Sequence, residues 1–310
     1  MLRGIVADLL HARGLALMRL GRVGPALSSF AWAARLAPSI PFLSAAALAA
    51  RQAGERDRAV YFGERALLLN PELPEMHALL SGLFMHGEFY QSLLARIHAH
   101  LKPRTYIEIG VETGASLRAV SPETLALGVD PQPAITFSLP PNVRVFAETS
   151  DQFFASHDVR AELGGLPVDL AFIDGMHHFE YALRDFMNLE RLCARESTIL
   201  VHDCFPYDRR TSERERKTAF WTGDVWRLVV LLKKHRPDLR IDTVAAPPTG
   251  LALIRNLDPS SRFLSDNLER LSERFARLDY RYLETQRAAK LNLFPNDWDR
   301  VRGLLAAPAA

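Results

Sequence analysis

The stretch VDLAFIDGMHHFEYALRDF, residues 168–186, decides the fold. Its opening run, VDLAFI, is almost wholly apolar and short, as expected of a strand buried on both faces. Its second half, from His178, has the polar and apolar spacing of a helix. Between the two stand Asp174, His177, His178 and Glu180, within seven residues. In open α/β sheets the carboxyl ends of buried strands are where ligands bind and chemistry is done. The stretch therefore reads as one strand–turn–helix unit with a candidate site on its turn.

The unit recurs on both sides. TYIEIG (105–110), LALGVD (125–130), VRVFAE (143–148) and STILVHD (197–203) read as four further strands, with helical segments between most of them. This predicts a doubly wound, Rossmann-like parallel sheet. LRIDTVAAP (239–247) and TGLALIRN (249–256) read as an antiparallel pair at the sheet's edge, making seven strands, and a strong helix is expected over residues 224–237. Beyond residue 258 two amphipathic helical stretches are expected to pack on the sheet domain or on a second subunit.

Ahead of the sheet the chain repeats. Gly21, Gly54 and Gly87 are spaced by 33 residues, as are Ala33, Ala66 and Ala99, while Ala26 and Ala59, and Pro38 and Pro71, keep the same interval. Small residues let two helices approach, glycine turns the chain and proline stops the second helix. The phrases resemble tetratricopeptide hairpins; the third copy is weaker, with Ser92 in place of the alanine. The expected organisation is an all-α repeat domain over 1–102, the sheet domain over 103–258 and a helical extension over 259–310. Such repeats offer a groove for a peptide or a partner subunit, or else form a helical cap on the next domain or a face for self-association.

Composition narrows the rest. Of 310 residues 48% are apolar and 24% charged, which supports a packed core, and the net charge of +2 is too small to argue for nucleic acid. DRRTSERERK (208–217) reads as a solvated loop. Two cysteines, Cys193 and Cys204, make no disulfide framework, and no apolar run reaches a membrane span, so a cytoplasmic protein with reduced thiols is expected.

The first strand ends in EIGVETGAS, where Gly110 and Gly114 let a ligand approach the backbone and a following helix would offer free N–H groups. The second ends in Asp130, 22 residues after Glu108, where a carboxylate can accept both hydroxyls of a ribose. Together with FIDGMH and a strand ending in VHD, this order resembles class I S-adenosylmethionine (SAM)-dependent methyltransferases, in particular the metal-assisted branch acting on macrolide sugars and catechols. The resemblance covers residues 103–256. It implies that Glu108 and Gly110, with Gly114 and Asp174, line the methionine side of the cofactor, that Asp130 meets its ribose, and that Ser150 faces adenine. It further implies Asp174 and Asp203 as ligands of Mg²⁺ or Mn²⁺, and His177 as general base. His202 stands where relatives carry an acidic residue; an imidazole binds Mn²⁺ but suits Mg²⁺ poorly. On residues alone, Ser150 with Asp151 also reads as a helix N-cap, His178 as a cap or solvated residue, and Glu180 and Asp185 as charges near a helix start. Tyr207, Trp221, Asp224 and Trp226, in the loop after the fifth strand, are candidates for holding the acceptor.

The activity so implied is O-methylation of a sugar, or of another small polyol or glycoside. The alternatives are a methyltransferase acting on a protein or lipid-linked glycan, and a cofactor-binding scaffold whose repeats recruit a partner.

Overall fold

The computed structural model describes residues 2–218 and 220–306. Contacts divide the chain into two compact units: one runs to Phe84 and includes Arg216–Trp221, the other comprises Met85–Glu215 and the chain from Thr222 onward.

The first unit is helical: α1 (Leu2–Arg19), α2 (Val23–Leu36), α3 (Ile40–Gln52), α4 (Arg56–Leu69) and α5 (Pro74–Phe84). Gly21 and Gly54, with φ of +69° and +74°, turn the chain between the paired helices. Ala26, Ala33, Ala59 and Ala66 are wholly buried, so the small residues recurring at the 33-residue interval lie where helices touch. Helix α6 (Tyr90–Leu101) departs from this pattern. Its Ser92 and Ala99 are exposed, and it buries Leu93, Leu94 and Ile97 with Tyr106, Leu170 and Phe172 of the sheet. The expected boundary at residue 102 and the division after Phe84 differ by this helix.

The second unit holds β1 (Thr105–Ile109), β2 (Leu125–Val129), β3 (Val143–Phe146), α7 (Ser150–Ser156), α8 (Val159–Glu162), β4 (Val168–Ile173), α9 (Phe179–Leu192), β5 (Cys193–His202), α10 (Trp226–His235), β6 (Arg240–Val244), β7 (Leu251–Arg255) and β8 (Leu293–Phe294). The sheet order is β3-β2-β1-β4-β5-β7-β6-β8. β3 to β5 are mutually parallel, and β7 enters antiparallel between β5 and β6. Alternate side chains feed two cores: Ile107, Ile109, Ala171 and Ile173 pack with Phe179, Phe186 and Trp226, while Tyr106, Leu170 and Phe172 pack with α6.

The α/β class is as expected, with three local differences. An eighth strand, β8, lies on β6, so the β6–β7 pair is not the free edge. β5 begins at Cys193, four residues early, pairing with Val168 across an irregularity in register. The helix expected after β1 is only a 3-10 turn, Ser116–Ala119. It lies between Gly114, whose backbone is left-handed, and Pro122, which lacks the N–H that a continuing helix would need.

Candidate active site

The carboxyl ends of β1, β4 and β5 meet at one rim, beside the point where strand order reverses between β1 and β4. Two backbone bonds lace this rim, Gly110 N–H to Val129 O and Asp174 N–H to Ile109 O, each 2.8 Å. Gly110 has φ of +89°, and a Cβ on it would lie 2.1 Å from the Asp174 carbonyl oxygen. Only glycine allows β1 and β4 to converge this closely.

On the side expected to bind cofactor, Asp130 accepts the N–H of Glu112 at 2.8 Å through one oxygen and that of Gln132 at 2.7 Å through the other. A carboxylate has about four acceptor sites, so capacity for hydroxyls remains. Glu108 is wholly buried; burial pushes its carboxyl up to about 8, while Ser116 and Tyr106 donate to it, the latter at 2.7 Å. Gly114, at φ +74°, sits under Ile135 and Phe137. Ser150 opens α7, but Thr149 is the N-cap, in a capping box with Gln152. Ser150 bonds instead to Asp185, which is 2% exposed in mid-helix, so its expected place as a charge near the helix start is corrected. Burial lifts the Asp185 carboxyl to about 7.

The opening stretch supplies the other side. His177 Nε2 lies 3.0 Å from Asp203 Oδ2 and 3.9 Å from Asp174 Oδ1. His202 Nδ1 lies 3.0 Å from Asp174 Oδ1, and its Nε2 3.0 Å from Thr249 Oγ1, so both of its ring nitrogens are engaged. Tyr90, reaching in from α6, stacks on His202 with ring centroids 3.7 Å apart and donates to Asp174 Oδ2 at 3.4 Å. Burial and the nearby Asp174 push the Tyr90 phenol well above its ordinary range. Burial pulls His177 down, but Asp203 and Asp174 outweigh it and lift the imidazole to about 9. His202 is lifted to about 10 the same way, against burial, by Asp174 and Asp203. Burial raises the Asp203 carboxyl, but His177 and His202 overcome it and hold it well below the carboxylate range. Asp203 also takes a left-handed backbone, φ +54°, which an aspartate tolerates at modest cost.

The turn holding His177 is pinned from behind. Asp224 N–H donates to His177 O at 3.1 Å, and Asp224 Oδ1 accepts the Phe179 N–H at 2.6 Å, capping α9 from a distant segment. Asp224 is wholly buried and also accepts from Arg214 at 2.8 Å and from Arg227. Gly223 has φ of +57°, and a Cβ there would fall 1.7 Å from His177 O. Asp224 and Trp226, the latter 1% exposed in the core, are thus framework rather than acceptor contacts. Tyr207 and Trp221 are half-buried. His178 occupies the N-cap position of α9 without making a side-chain cap; its Nε2 lies 2.9 Å from Arg214 O. Glu180 pairs with Arg214 at 2.6 and 2.8 Å.

Asp174, His177 and Asp203 each offer a ligand atom, and the three atoms lie within 4.8 Å of one another. Two carboxylates and an imidazole fit a small divalent cation, Mn²⁺ better than Mg²⁺. His202, committed to Asp174 and Thr249, stands behind this set. Sequence reasoning missed Tyr90, Thr249 and Gly223; all three come from segments remote in sequence. Surface hollows of about 380 Å³, lined by Ala31, Arg35 and Tyr61 among others, and about 530 Å³, lined by Arg191 and Ser260 among others, share no residue with the cluster.

Residues 107–204, from within β1 to Cys204, match a family model described as a methyltransferase domain. No curated protein matches the chain. Among solved structures, the chain is similar to the O-methyltransferase TomG from Streptomyces achromogenes, involved in tomaymycin synthesis and bound to SAM: 17% identity, 55% of this chain and 80% of that one, TM-score 0.43. It is also similar to an O-methyltransferase from Bacillus cereus in complex with SAH, with 14% identity, 53% and 79% covered and a TM-score of 0.40. The SAH-bound methyltransferase PaMTH1 from Podospora anserina gives 17% identity, 55% and 78% covered and a TM-score of 0.40. At these scores the likenesses leave chemistry and acceptor to the chain's own residues.

Proposed function

We propose that the chain is a SAM-dependent O-methyltransferase acting on a hydroxyl of a sugar, or of another small polyol or glycoside. His177 is its general base, and Asp174 and Asp203 hold a divalent cation. The observation that carries this reading is the convergence of Asp174, His177 and Asp203 within 4.8 Å at the rim.

The acceptor oxygen attacks the cofactor's methyl carbon as the carbon–sulfur bond breaks, the electron pair returns to sulfur, and the hydroxyl proton passes to the His177 imidazole. Asp203, 3.0 Å from the ring's Nε2, orients the ring and stabilises the imidazolium that forms. A divalent cation between Asp174 and Asp203 would lower the hydroxyl's pKa and offset the carboxylate field that keeps His177 protonated. Asp130, whose carboxylate keeps acceptor capacity at the end of β2 beyond the N–H groups of Glu112 and Gln132, supports cofactor binding.

One observation favours a second reading. His202 already compensates Asp174 from within the fold, at 3.0 Å, so the rim is electrostatically satisfied without a cation, as a cofactor-binding scaffold requires. Transfer of labelled methyl from SAM to a panel of glycosides, with and without chelator, separates the two. Turnover that chelation stops and Mn²⁺ restores supports the enzyme. Cofactor binding with no transfer to any hydroxyl acceptor supports the scaffold, and no cofactor binding by calorimetry defeats both.

A further inference from the structure

Helix α1 has two opposed faces. The inward face is set by Ala7, His11 and Gly14: Ala7 is wholly buried, the His11 ring lies 5.3 Å from Phe30 and 4.9 Å from Phe42, and a Cβ on Gly14 would fall 2.4 Å from the Phe30 ring. The outward face carries Leu2, Ile5, Leu9, Ala12 and Ala16, all exposed, Leu2 at 78%, Ile5 at 53% and Leu9 at 66%. The solvent face of a surface helix is ordinarily polar. Here the spacing is 3, 4, 3, 4, the a/d seam of a two-stranded coiled coil.

The residues flanking the seam name the occupant. With Leu2, Leu9 and Ala16 at a and Ile5 and Ala12 at d, Asp8 and Leu15 fall at g, and Val6, Arg13 and Leu20 at e. In a parallel pair each g residue faces the e residue five positions later on the other helix. That register sets Asp8 against Arg13 and Leu15 against Leu20, twice over about a two-fold axis. On one helix, residues five apart do not face each other, so Asp8 and Arg13 cannot serve one another within the chain. In an antiparallel pair g faces g and e faces e, and Asp8 never meets Arg13. The seam ends at Ala16, because Arg19 takes the next d position.

We infer that the outward face of α1 is a homodimer interface, occupied by α1 of a second copy in parallel orientation. Leu2, Ile5 and Leu9 fill its first half, and the small Ala12 and Ala16 bring the two backbones together in the second. The pairing places the axis along α1, as a point-symmetric assembly of two chains.

Sedimentation of the full chain tests this. The expected result is the mass of two chains, falling to one in Leu9→Lys. Asp8→Arg and Arg13→Asp should each weaken association roughly tenfold, and the double variant should restore it. In Ala12→Cys, mild oxidation should join two chains, since native Cys193 and Cys204 are buried. A single-chain mass for the unmodified protein at about 100 μM would overturn the inference, that concentration being where even a weak association of about 5 kcal/mol is half formed. So would a dimer indifferent to both charge reversals, or one that Ala12→Cys cannot cross-link. The charge variants are exposed, so they decide the matter even if Leu9→Lys fails to fold.

Discussion

Gly223→Ala is the smallest change that should disable the candidate base without replacing it. The added carbon would sit 1.7 Å from the His177 carbonyl oxygen, whereas an ordinary contact begins near 3.4 Å. Backbone on one side or the other must therefore move by about 1.7 Å, the difference of the two distances. Gly223 also has φ of +57°, which costs a side chain roughly 1–2 kcal/mol. Relieving the clash breaks the 3.1 Å bond from Asp224 N–H to His177 O and swings the imidazole off Asp203. A misplacement of about 1 Å costs a positioned group on the order of 10²-fold in rate. Methyl transfer should fall by that factor while cofactor affinity holds, since Gly110 and Asp130 stand on other strands. Labelled-methyl transfer and calorimetry read the two quantities, and the His177 ring resonances report the displacement directly by NMR. Unchanged His177 resonances together with transfer within threefold of the parent would refute the reasoning.

Other outcomes follow from the same site. Asp224→Ala should destabilise the chain by about 3–5 kcal/mol in denaturant unfolding, because it strands buried arginine charge and uncaps α9, and Asp224→Asn should cost less. His177 and His202 are raised in the folded state to about 9 and about 10, so the stability they add is full below about 6.5 and disappears as pH rises through 9 and 10. Asp203 is depressed, so its contribution is present above about 3.8 and is lost as pH falls below that; melting curves from acid to alkaline pH should show both flanks. A cation held by Asp174 and Asp203 would cancel the carboxylate charge that raises His177 to about 9, so Mn²⁺ calorimetry in buffers of different ionisation enthalpy should show proton release and tighter binding at higher pH. His177→Ala should lower transfer by about 10²–10⁴-fold and leave cofactor affinity intact. A fragment beginning at residue 103 should be less stable than one beginning at Met85 by about 5 kcal/mol, from three buried side chains of α6 at 1.5 kcal/mol or more each, as measured by urea unfolding.

The sheet was legible because its strands are buried on both faces: TYIEI and VDLAFI are apolar runs that no amphipathic helix would carry. Asp174, His177 and Asp203 were legible because strand ends at a reversal of order meet in space, so position along the strand substitutes for distance. What could not be read depends on contacts between remote segments. Nothing in YQSLLARIHAHL marks α6 as sheet-bound rather than as a third repeat; its buried Leu93, Leu94 and Ile97 would serve either. Tyr90 and Thr249, 84 and 75 residues from Asp174, carry no local sign of facing its cluster. Asp185 read as a charge near a helix start and Asp224 as an acceptor contact, because burial of a carboxylate depends on partners such as Ser150 and Arg227 that only the fold supplies.

The two residues of β8 have a bearing on solubility. β6 would otherwise present unpaired backbone along its outer side, the surface on which foreign strands add and polymers grow. Asn292 O accepts from Thr243 N–H at 3.0 Å and Phe294 O from Ala245 N–H at 2.9 Å, while the Asn292 side chain donates to Ile241 O at 2.8 Å. These bonds stopper the template. A protease cut between Arg255 and Leu293, or a frameshift that loses the chain after β7, would unplug it in a chain whose sheet is otherwise whole. Such a product would accumulate as aggregate rather than as unfolded protein, and the tail is to that extent an intramolecular guard against self-assembly.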